Sequence, residues 1–258
     1  MGFGDALIGT GIAKKARQKH PGRPICIGDG TQVEWNEVHE GNPFLSKDVV
    51  PGCVWVHCHK GYRPYVDNAK STKDRFVWKR DFKVSPGELY LTPEEEAKWV
   101  DISDFVYIEP NIKGWLGPNK DWGFDNWQGV VDSLPDVRFI QGPGRRLNNV
   151  EQFETVSFRD ACALLARARL FSGTDGGLHH AAAALGKRAV VVWGGFTHPR
   201  NLGYDDHINL YSGVEPCGNT KPCDHCSKAM SQISVKRVAN AIRKELGSLG
   251  THPDTGSA

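Results

Sequence analysis

The sequence of 258 residues has no uninterrupted apolar run of about 18 residues, the length that a membrane-spanning helix needs. Its first residues, MGFGDALIG, lack the basic and then apolar order of a secretory signal. We therefore predict a cytoplasmic protein without a transmembrane segment, peripheral at the inner membrane surface at most.

Strong net charge and a disulfide framework are also missing. The formal charge is only +2, so a preference for anions must come from a local site and not from the average field. The seven cysteines are an odd number, and only those at 217, 223 and 226 lie close together. Hydrophobic residues make up 39% of the chain, which is enough for the core of a folded globular protein.

The order of apolar segments predicts an α/β protein with parallel sheets. A helix over 6–20 precedes two short apolar runs, at 24–28 and 53–58, that are typical of buried strands. From residue 104 onward, the runs FVYIE, VRFIQ, LFS and AVVVW alternate with segments of helical periodicity. We predict an N-terminal domain over 1–100, a C-terminal domain over 101–246 and a disordered polar tail over 247–258.

The turn TDGGLHH, residues 174–180, follows one of these strands and opens a helix. In a doubly wound sheet, ligands bind beyond the carboxyl ends of the strands. Two glycines let a phosphate approach the unpaired N–H groups of the first helical turn, and the helix dipole favours its negative charge. The turn therefore predicts a diphosphate site, although glycines here could simply allow a tight strand-to-helix turn.

A long stretch around this turn, FSGTDGGLHHAAAALGKRAVVVWGGFTHP, resembles the donor-site segment of glycosyltransferase family 9, the heptosyltransferase-like enzymes. GFGDALIGTGIAKKARQKHPG resembles the family's N-terminal GD motif, and PNKDWGFDNWQGVV its lysine-tryptophan loop. The similarity is specific from residue 104 to the final helix and thin over 28–99. It implies a compact and divergent member with the GT-B architecture, in which two Rossmann-like domains with parallel sheets face a cleft, here with an abbreviated N-terminal domain.

The resemblance also implies an inverting glycosyltransferase, which moves a sugar from a nucleotide-diphosphate sugar to an acceptor hydroxyl. Asp5 matches the family's general base and Lys120 its phosphate-binding lysine. The donor turn is matched by Asp175, Gly176, Gly177, Leu178 and His180. No metal cofactor is required, because a lysine and fixed N–H dipoles supply positive potential at the diphosphate. The donor nucleotide, ADP, UDP or GDP, stays open.

Some positions depart from the family pattern or allow a simpler interpretation. Only four residues precede Asp5, where the family has a full strand, and Gly176 replaces the usual hydroxyl residue. Asp5 could instead be the N-cap of the first helix. Two other functions therefore stay open: a GT-B-like nucleotide-sugar epimerase or phosphorylase, and a non-catalytic module that binds a nucleotide sugar.

The acceptor is expected near the basic segment 57–83, which interleaves eight Lys and Arg residues with aromatic ones. The candidates in it are Lys60, Tyr62, Arg63 and Tyr65. Such a groove suits an anionic glycan or glycolipid of the lipopolysaccharide type better than a nucleic acid, although a modified DNA base stays open. A solvated surface with aromatic anchors is the alternative.

The cysteines at 217, 223 and 226 have a spacing that suits a structural zinc ion. His225, His207 or a further group is a candidate for the fourth ligand. A packed element without metal is the competing interpretation.

Overall fold

The computed structural model describes residues 1–112 and 117–249. Its helices and strands, in chain order, are α1 (Phe3–Lys19), β1 (Ile25–Gly28), β2 (Val54–His57), α2 (Pro93–Ala97), β3 (Val106–Glu109), α3 (Phe124–Asp132), β4 (Phe139–Gln141), β5 (Glu151–Gln152), α4 (Phe158–Arg167), β6 (Leu170–Thr174), α5 (Gly177–Ala184), β7 (Ala189–Trp193), α6 (Pro199–Leu202), β8 (His207–Tyr211), α7 (Asp224–Ser231) and α8 (Val235–Ser248). No helix within these ranges is long and apolar enough to cross a membrane.

A parallel sheet of six strands forms the C-terminal part, in the order β5-β4-β3-β6-β7-β8. The strand order reverses between β3 and β6, where Glu109 is paired with Gly173. Because ligands of open α/β sheets bind at the carboxyl ends of the strands beside such a reversal, this edge is the expected binding crevice. The predicted α/β class with parallel sheets is confirmed.

Successive side chains along each strand point to opposite faces of the large sheet, and an apolar layer covers each face. Tyr107, Phe171 and Val191 belong to the layer that also contains α1, α4 and α5 residues. Their neighbours Ile108, Val190 and Val192 pack in the opposite layer, with α3 and α8. Both faces of the sheet are therefore covered by helices, which explains why the strands read as continuous apolar runs.

The N-terminal part is much smaller than a complete Rossmann-like unit. Its parallel sheet has only two strands, β1 and β2, paired from Ile25–Val54 to Gly28–His57. Between β2 and α2 the described chain is held mainly by turns and isolated bridges such as Val66–Trp78. The first apolar layer continues from the large sheet into this part, so the two parts share one core.

Capping residues in the sequence account for several helix ends, and a few helices begin or end at other residues than predicted. Ser157 caps α4 as expected, because its hydroxyl accepts a hydrogen bond from the Asp160 N–H. Helix α1 begins at Phe3, three residues before its predicted start. Helix α8 ends at Ser248 and thus includes two residues of the predicted tail, whereas residues 250–258 of that tail lie outside the described ones.

Arg159 joins the two parts through a nearly buried guanidinium. Two of its nitrogens contact the Glu95 carboxylate, at 2.5 and 2.6 Å, and the backbone carbonyls of Glu37, Glu40 and Tyr90 accept the remaining hydrogen bonds. All these acceptors precede residue 100, while Arg159 lies on α4. A charged side chain that satisfies so many acceptors is difficult to replace.

We predict that Arg159→Ala lowers the free energy of unfolding by about 3–5 kcal/mol, since it leaves a carboxylate and three carbonyls without their partner. The matched control is Arg138→Ala, which removes an exposed pair with Glu151 and should cost about 1 kcal/mol or less. Urea denaturation measures both. Equal losses in the two variants would contradict the central role of Arg159.

Candidate active site

The donor turn lies at the carboxyl edge of the large sheet, where β6 ends at Thr174 and α5 begins at Gly177. Gly176, the N-cap of α5, has an extended backbone, and no side chain caps the helix. A Cβ built on Gly176 would have only the Thr174 carbonyl oxygen within 4 Å, at 3.8 Å. The first N–H groups of α5 therefore begin beside open space, as an anion site requires.

Lys120 and Asp175 form an ion pair at this edge. Their Nζ and Oδ2 atoms are 2.7 Å apart, and the Thr197 hydroxyl donates to the same carboxylate at 3.0 Å. Burial alone would raise the pKa of Asp175, but the Lys120 ammonium and the Thr197 hydroxyl hold it below its usual value. Asp175 therefore stays ionised and keeps the ammonium of Lys120 at the donor turn.

His180 lies in the first turns of α5, directly behind this pair. Its Nδ1 is hydrogen-bonded to the Tyr204 hydroxyl at 2.8 Å, and its Nε2 lies 3.8 Å from Asp175 Oδ1. Burial lowers the pKa of His180 to about 4, so the ring is neutral at pH 7. A neutral imidazole can orient a neighbouring group but brings no positive charge to a diphosphate.

Asp5 does not cap α1, so the N-cap interpretation is wrong. The N-cap is Gly2, without a side-chain hydrogen bond, and Asp5 lies in the first helical turn. Its carboxylate accepts hydrogen bonds from Arg63 Nε, at 3.2 Å, and from the Tyr65 hydroxyl. Burial, followed by the charge of Asp5, raises the pKa of Tyr65 well above 10, so this hydroxyl keeps its proton. The two donors fix the orientation of the carboxylate.

The N-terminus of α1 meets the N-terminus of α5 through two glycines. A Cβ built on Gly4 would lie 3.0 Å from Cδ2 of His180 and 3.5 Å from Cα of Gly177. The chain comes this close because neither glycine has a side chain. Asp5, the next residue, is consequently carried to the donor turn.

The four predicted acceptor-side residues separate into two pairs. Arg63 and Tyr65 contact Asp5, as described above. Tyr62 stacks on His59, with ring centroids 5.6 Å apart, and the backbone N–H of Lys60 donates to Glu34. Within the described ranges, the contacts of Lys60 and Tyr62 thus lie around His59, Glu34 and Lys79, and not at the Asp5 carboxylate.

Sequence reasoning missed three residues at the carboxyl edge: Thr197, Tyr204 and Glu109. Thr197 follows the end of β7 and could have been found from that position. Glu109 ends β3 at the strand reversal, where burial raises the pKa of its carboxyl to about 7. No signal in the sequence indicates Tyr204, because its contact with His180 depends on the path of the chain through α6.

The thiols of Cys217, Cys223 and Cys226 converge. Cys217 Sγ lies 3.7 Å from that of Cys223 and 3.3 Å from that of Cys226. The hydrogen bond with Cys226 is the main reason why the pKa of Cys217 is lowered, to about 5, and a thiolate is the form that binds metal. Three convergent sulfur atoms fit zinc or iron.

Neither predicted histidine completes this cysteine cluster in the described ranges. His207 is wrong as a fourth ligand: it hydrogen-bonds to the Lys187 carbonyl and packs against His179, beneath the donor turn. The Nε2 of His225 lies 2.9 Å from the Glu215 carbonyl oxygen, with which it is hydrogen-bonded. The three thiols alone form the cluster.

His179 is completely buried, and neither of its ring nitrogens has a hydrogen-bond partner among the described residues. Its ring packs against Trp193, Tyr204 and the two other buried histidines, His180 and His207. Burial lowers the pKa of all three histidines, to about 4 for His180 and His207. They are therefore neutral in the folded protein and take up protons on unfolding in acid.

We predict that stability falls as the pH decreases below about 6.5, where an unfolded histidine becomes protonated and these folded ones do not. His180 and His207 should each lower the free energy of unfolding by about 2 kcal/mol between pH 7 and pH 5.

The His179→Phe variant removes two unpaired nitrogens. It should therefore raise the free energy of unfolding by about 1 kcal/mol at pH 7 and make it less sensitive to acid. Denaturation at both pH values tests this. The control His20→Ala, at an exposed residue, should change neither the stability at pH 7 nor its dependence on pH. An unaltered pH dependence in His179→Phe would show that burial of His179 does not contribute to the acid sensitivity.

Comparison with known proteins is consistent with this geometry. Residues 148–232, which include β6, the donor turn and the cysteine cluster, match the model of the family described as glycosyltransferase family 9 (heptosyltransferase). None of the curated proteins compared gives a match.

Two solved structures share the fold. A glycosyl transferase family 9 protein from Veillonella parvula DSM 2008 is 15% identical, with a TM-score of 0.67, over 96% of this chain and 95% of that one. The iron-containing dodecameric glycosyltransferase TibC from enterotoxigenic E. coli H10407 is also 15% identical, with a TM-score of 0.62, over 97% of this chain and 75% of TibC. At such identities the likeness shows the fold alone, which is GT-B-like, and the match to the family model covers about a third of the chain, around the donor turn.

Proposed function

We propose that this protein is an inverting glycosyltransferase, which moves a sugar from a nucleotide-diphosphate sugar to an acceptor hydroxyl. The observation that carries the proposal is the contact of α1 with α5. It brings Asp5, a carboxylate without a capping role, to a helix N-terminus that begins beside open space and has Lys120 next to it.

Lys120 and the N-terminus of α5 are proposed to hold the diphosphate. In the described structure the ammonium of Lys120 is neutralised by Asp175, and the Thr197 hydroxyl shares that carboxylate. A diphosphate at Gly176 would add acceptor oxygens near the ammonium and near the N–H groups of α5. These fixed positive groups would stabilise the negative charge that develops on the leaving nucleoside diphosphate.

Asp5 is proposed to act as the general base, which takes the proton of the acceptor hydroxyl. Arg63 and Tyr65 hold its carboxylate from one side, and both are donors that cannot themselves accept this proton. Inversion follows from a single displacement, in which the hydroxyl attacks the sugar carbon as the nucleoside diphosphate departs on the opposite side. The two proposed roles are thus carried by helices whose N-termini touch.

The sugar, the nucleotide and the acceptor are proposed as chemical classes. The description of the matching family names heptosyltransferases, so a heptose is our first candidate for the sugar, and ADP-, UDP- and GDP-linked donors are all to be tested. For the acceptor we propose an anionic glycan or glycolipid, because Arg63 and the basic segment 57–83 border Asp5. Peripheral binding at the inner membrane surface is part of this proposal.

We also propose a structural metal ion at the cysteine cluster. Cys223 is the N-cap of α7, Cys226 lies within α7, and Cys217 lies in the loop between β8 and α7. A metal bound to all three would therefore tie α7 to this loop. TibC, which shares the fold, is described as iron-containing, and the sulfur donors here suit iron as well as zinc.

We predict that Asp5→Asn reduces turnover by about 10²–10⁴-fold, the usual contribution of a general base, with donor affinity preserved. Turnover is measured as release of nucleoside diphosphate, and donor affinity by calorimetry. The control Asp125→Asn changes an exposed acidic residue in the first turn of another helix, α3. Normal turnover in Asp5→Asn would eliminate Asp5 as the base.

Lys120→Gln should weaken donor binding about tenfold or more, because a charge-assisted contact with the diphosphate is lost. Lys120→Arg retains the charge and should recover part of the affinity. Since Asp175 loses its ion-pair partner in the Gln variant, melting temperatures must be compared as well. Lys221→Gln, at an exposed lysine, is the control. A folded Lys120→Gln protein with normal donor affinity would exclude the phosphate role.

We expect protein purified without chelator to contain about one zinc or iron ion per chain, and Cys223→Ser to lose it. Elemental analysis by mass spectrometry measures the content. Cys53→Ser, at a cysteine remote in sequence from the cluster, should keep the metal. Metal-free wild-type protein with three free thiols would show that the cluster is only packed.

A further inference from the structure

A cavity of about 190 Å³ lies between the segment 75–80 and the chain from Arg200 to Cys217. Its charged lining residues include Arg75, Arg80, Arg200 and Glu215. Three arginines against Glu215 and the Cys217 thiolate, whose pKa is lowered to about 5, leave a net charge of +1. Phe76 and Trp78 also line the cavity. Such a lining favours an anion.

Several guanidinium donors in this cavity remain available. Arg75 uses its Nε for the Cys217 carbonyl, at 2.9 Å, and Arg200 contacts Glu215 at 3.1 Å. Arg80 has no hydrogen-bond or ion-pair partner among residues 1–112 and 117–249. All guanidinium N–H groups of Arg80 are therefore available to a ligand, and those of Arg75 and Arg200 are available in part.

The backbone around the cavity is held firmly on both sides. The Trp78 indole N–H donates to the Phe196 carbonyl at 3.0 Å, and the Phe76 N–H donates to the Gly218 carbonyl at 2.8 Å. The buried amide of Asn201 donates to the carbonyls of Lys79 and Phe82, at 2.7 and 2.8 Å, so it anchors the chain on either side of Arg80. The arginines thus project from fixed positions, which lowers the entropic cost of binding.

Aromatic rings separate the cavity from both halves of the proposed active site. On one side the Arg63 guanidinium lies 5.4 Å from the Phe76 ring centroid, and Arg63 contacts Asp5. On the other side Trp78 packs edge-on against Phe196, and Lys120 Nζ lies 5.3 Å from the Phe196 ring centroid. A group bound in the cavity would therefore lie beside the reacting centre but outside it.

We propose that this cavity binds a phosphomonoester group of the acceptor, at a distance from the hydroxyl that receives the sugar. The inference rests on the proposed transferase function. A phosphomonoester presents three acceptor oxygens, and arginines bind such oxygens in pairs. A carboxylate has two oxygens and a phosphodiester two free ones, so both offer fewer acceptors to three guanidinium groups.

The experiment titrates inorganic phosphate into protein with ¹⁵N-labelled arginines and follows the Nε–H signals, which report each arginine separately from the donor site. Signals of Arg75, Arg80 and Arg200 should shift together. Arg23 is the matched control, because its Nε also donates to a backbone carbonyl, that of Gly52, at 2.9 Å on an exposed surface. In Arg80→Ala, phosphate affinity read at Arg75 should fall about tenfold or more. In Lys120→Gln it should be unchanged.

Unaltered affinity at Arg75 in Arg80→Ala, or a shift of Arg23 equal to that of Arg75, would overturn the proposal. A single-stranded oligodeoxynucleotide that shifts these signals more strongly than phosphate would also overturn it, in favour of nucleic acid. Phosphatidylcholine vesicles containing phosphatidic acid distinguish the sources: binding that needs Arg80 supports a lipid-borne phosphomonoester, and phosphate binding without vesicle binding supports a soluble one. Donor binding in Arg80→Ala should stay normal, so failure here is distinguishable from failure of the transferase proposal.

Discussion

The close contact between the N-termini of α1 and α5 is the constraint on which the site depends. Gly4 and Gly177 have no side chains, so the two backbones approach until a Cβ on Gly4 would lie only 3.0 Å from His180 Cδ2. Because α5 follows the central strand β6 and α1 leads into the small sheet, the same contact joins the two parts of the chain. It also explains how about 100 N-terminal residues with only two strands can still supply the carboxylate that we propose as the base.

Charge compensation is the second property of the site. Asp5 is held by Arg63 and Tyr65, and Asp175 by Lys120 and Thr197. Both carboxylates are therefore oriented before a substrate arrives, and Asp175, whose pKa is lowered, is ionised. A diphosphate would meet a lysine and helix N–H groups that are already in place, which is the electrostatic preorganisation expected of a group-transfer enzyme. The neutral ring of His180 supports Asp175 from behind without adding charge.

Periodicity and turn chemistry were sufficient to predict four of the six strands of the large sheet, β3, β4, β6 and β7, because each is a short apolar run. They did not predict β5, which is the polar pair Glu151–Gln152, or β8. They also predicted the strand-to-helix turn between β6 and α5, because its two glycines allow a tight turn. Contacts that depend on distant segments were not predictable. Tyr204 reaches His180 only through the path of α6, and the pairing of Arg63 and Tyr65 with Asp5 spans about sixty residues of mostly irregular chain. His207 was a candidate for the fourth ligand of the cysteine cluster, but it is buried beside His179.

We propose the edge of the sheet at Gly176 as a nucleotide-sugar diphosphate site. The decisive measurement is thermal unfolding in the presence of ADP-, UDP- and GDP-linked sugars and of the corresponding diphosphates. At 100 times its dissociation constant a ligand adds about 2.7 kcal/mol of stability, so the melting temperature should rise clearly with at least one of them, and less in Lys120→Gln. No rise with any nucleotide or nucleotide sugar would contradict it.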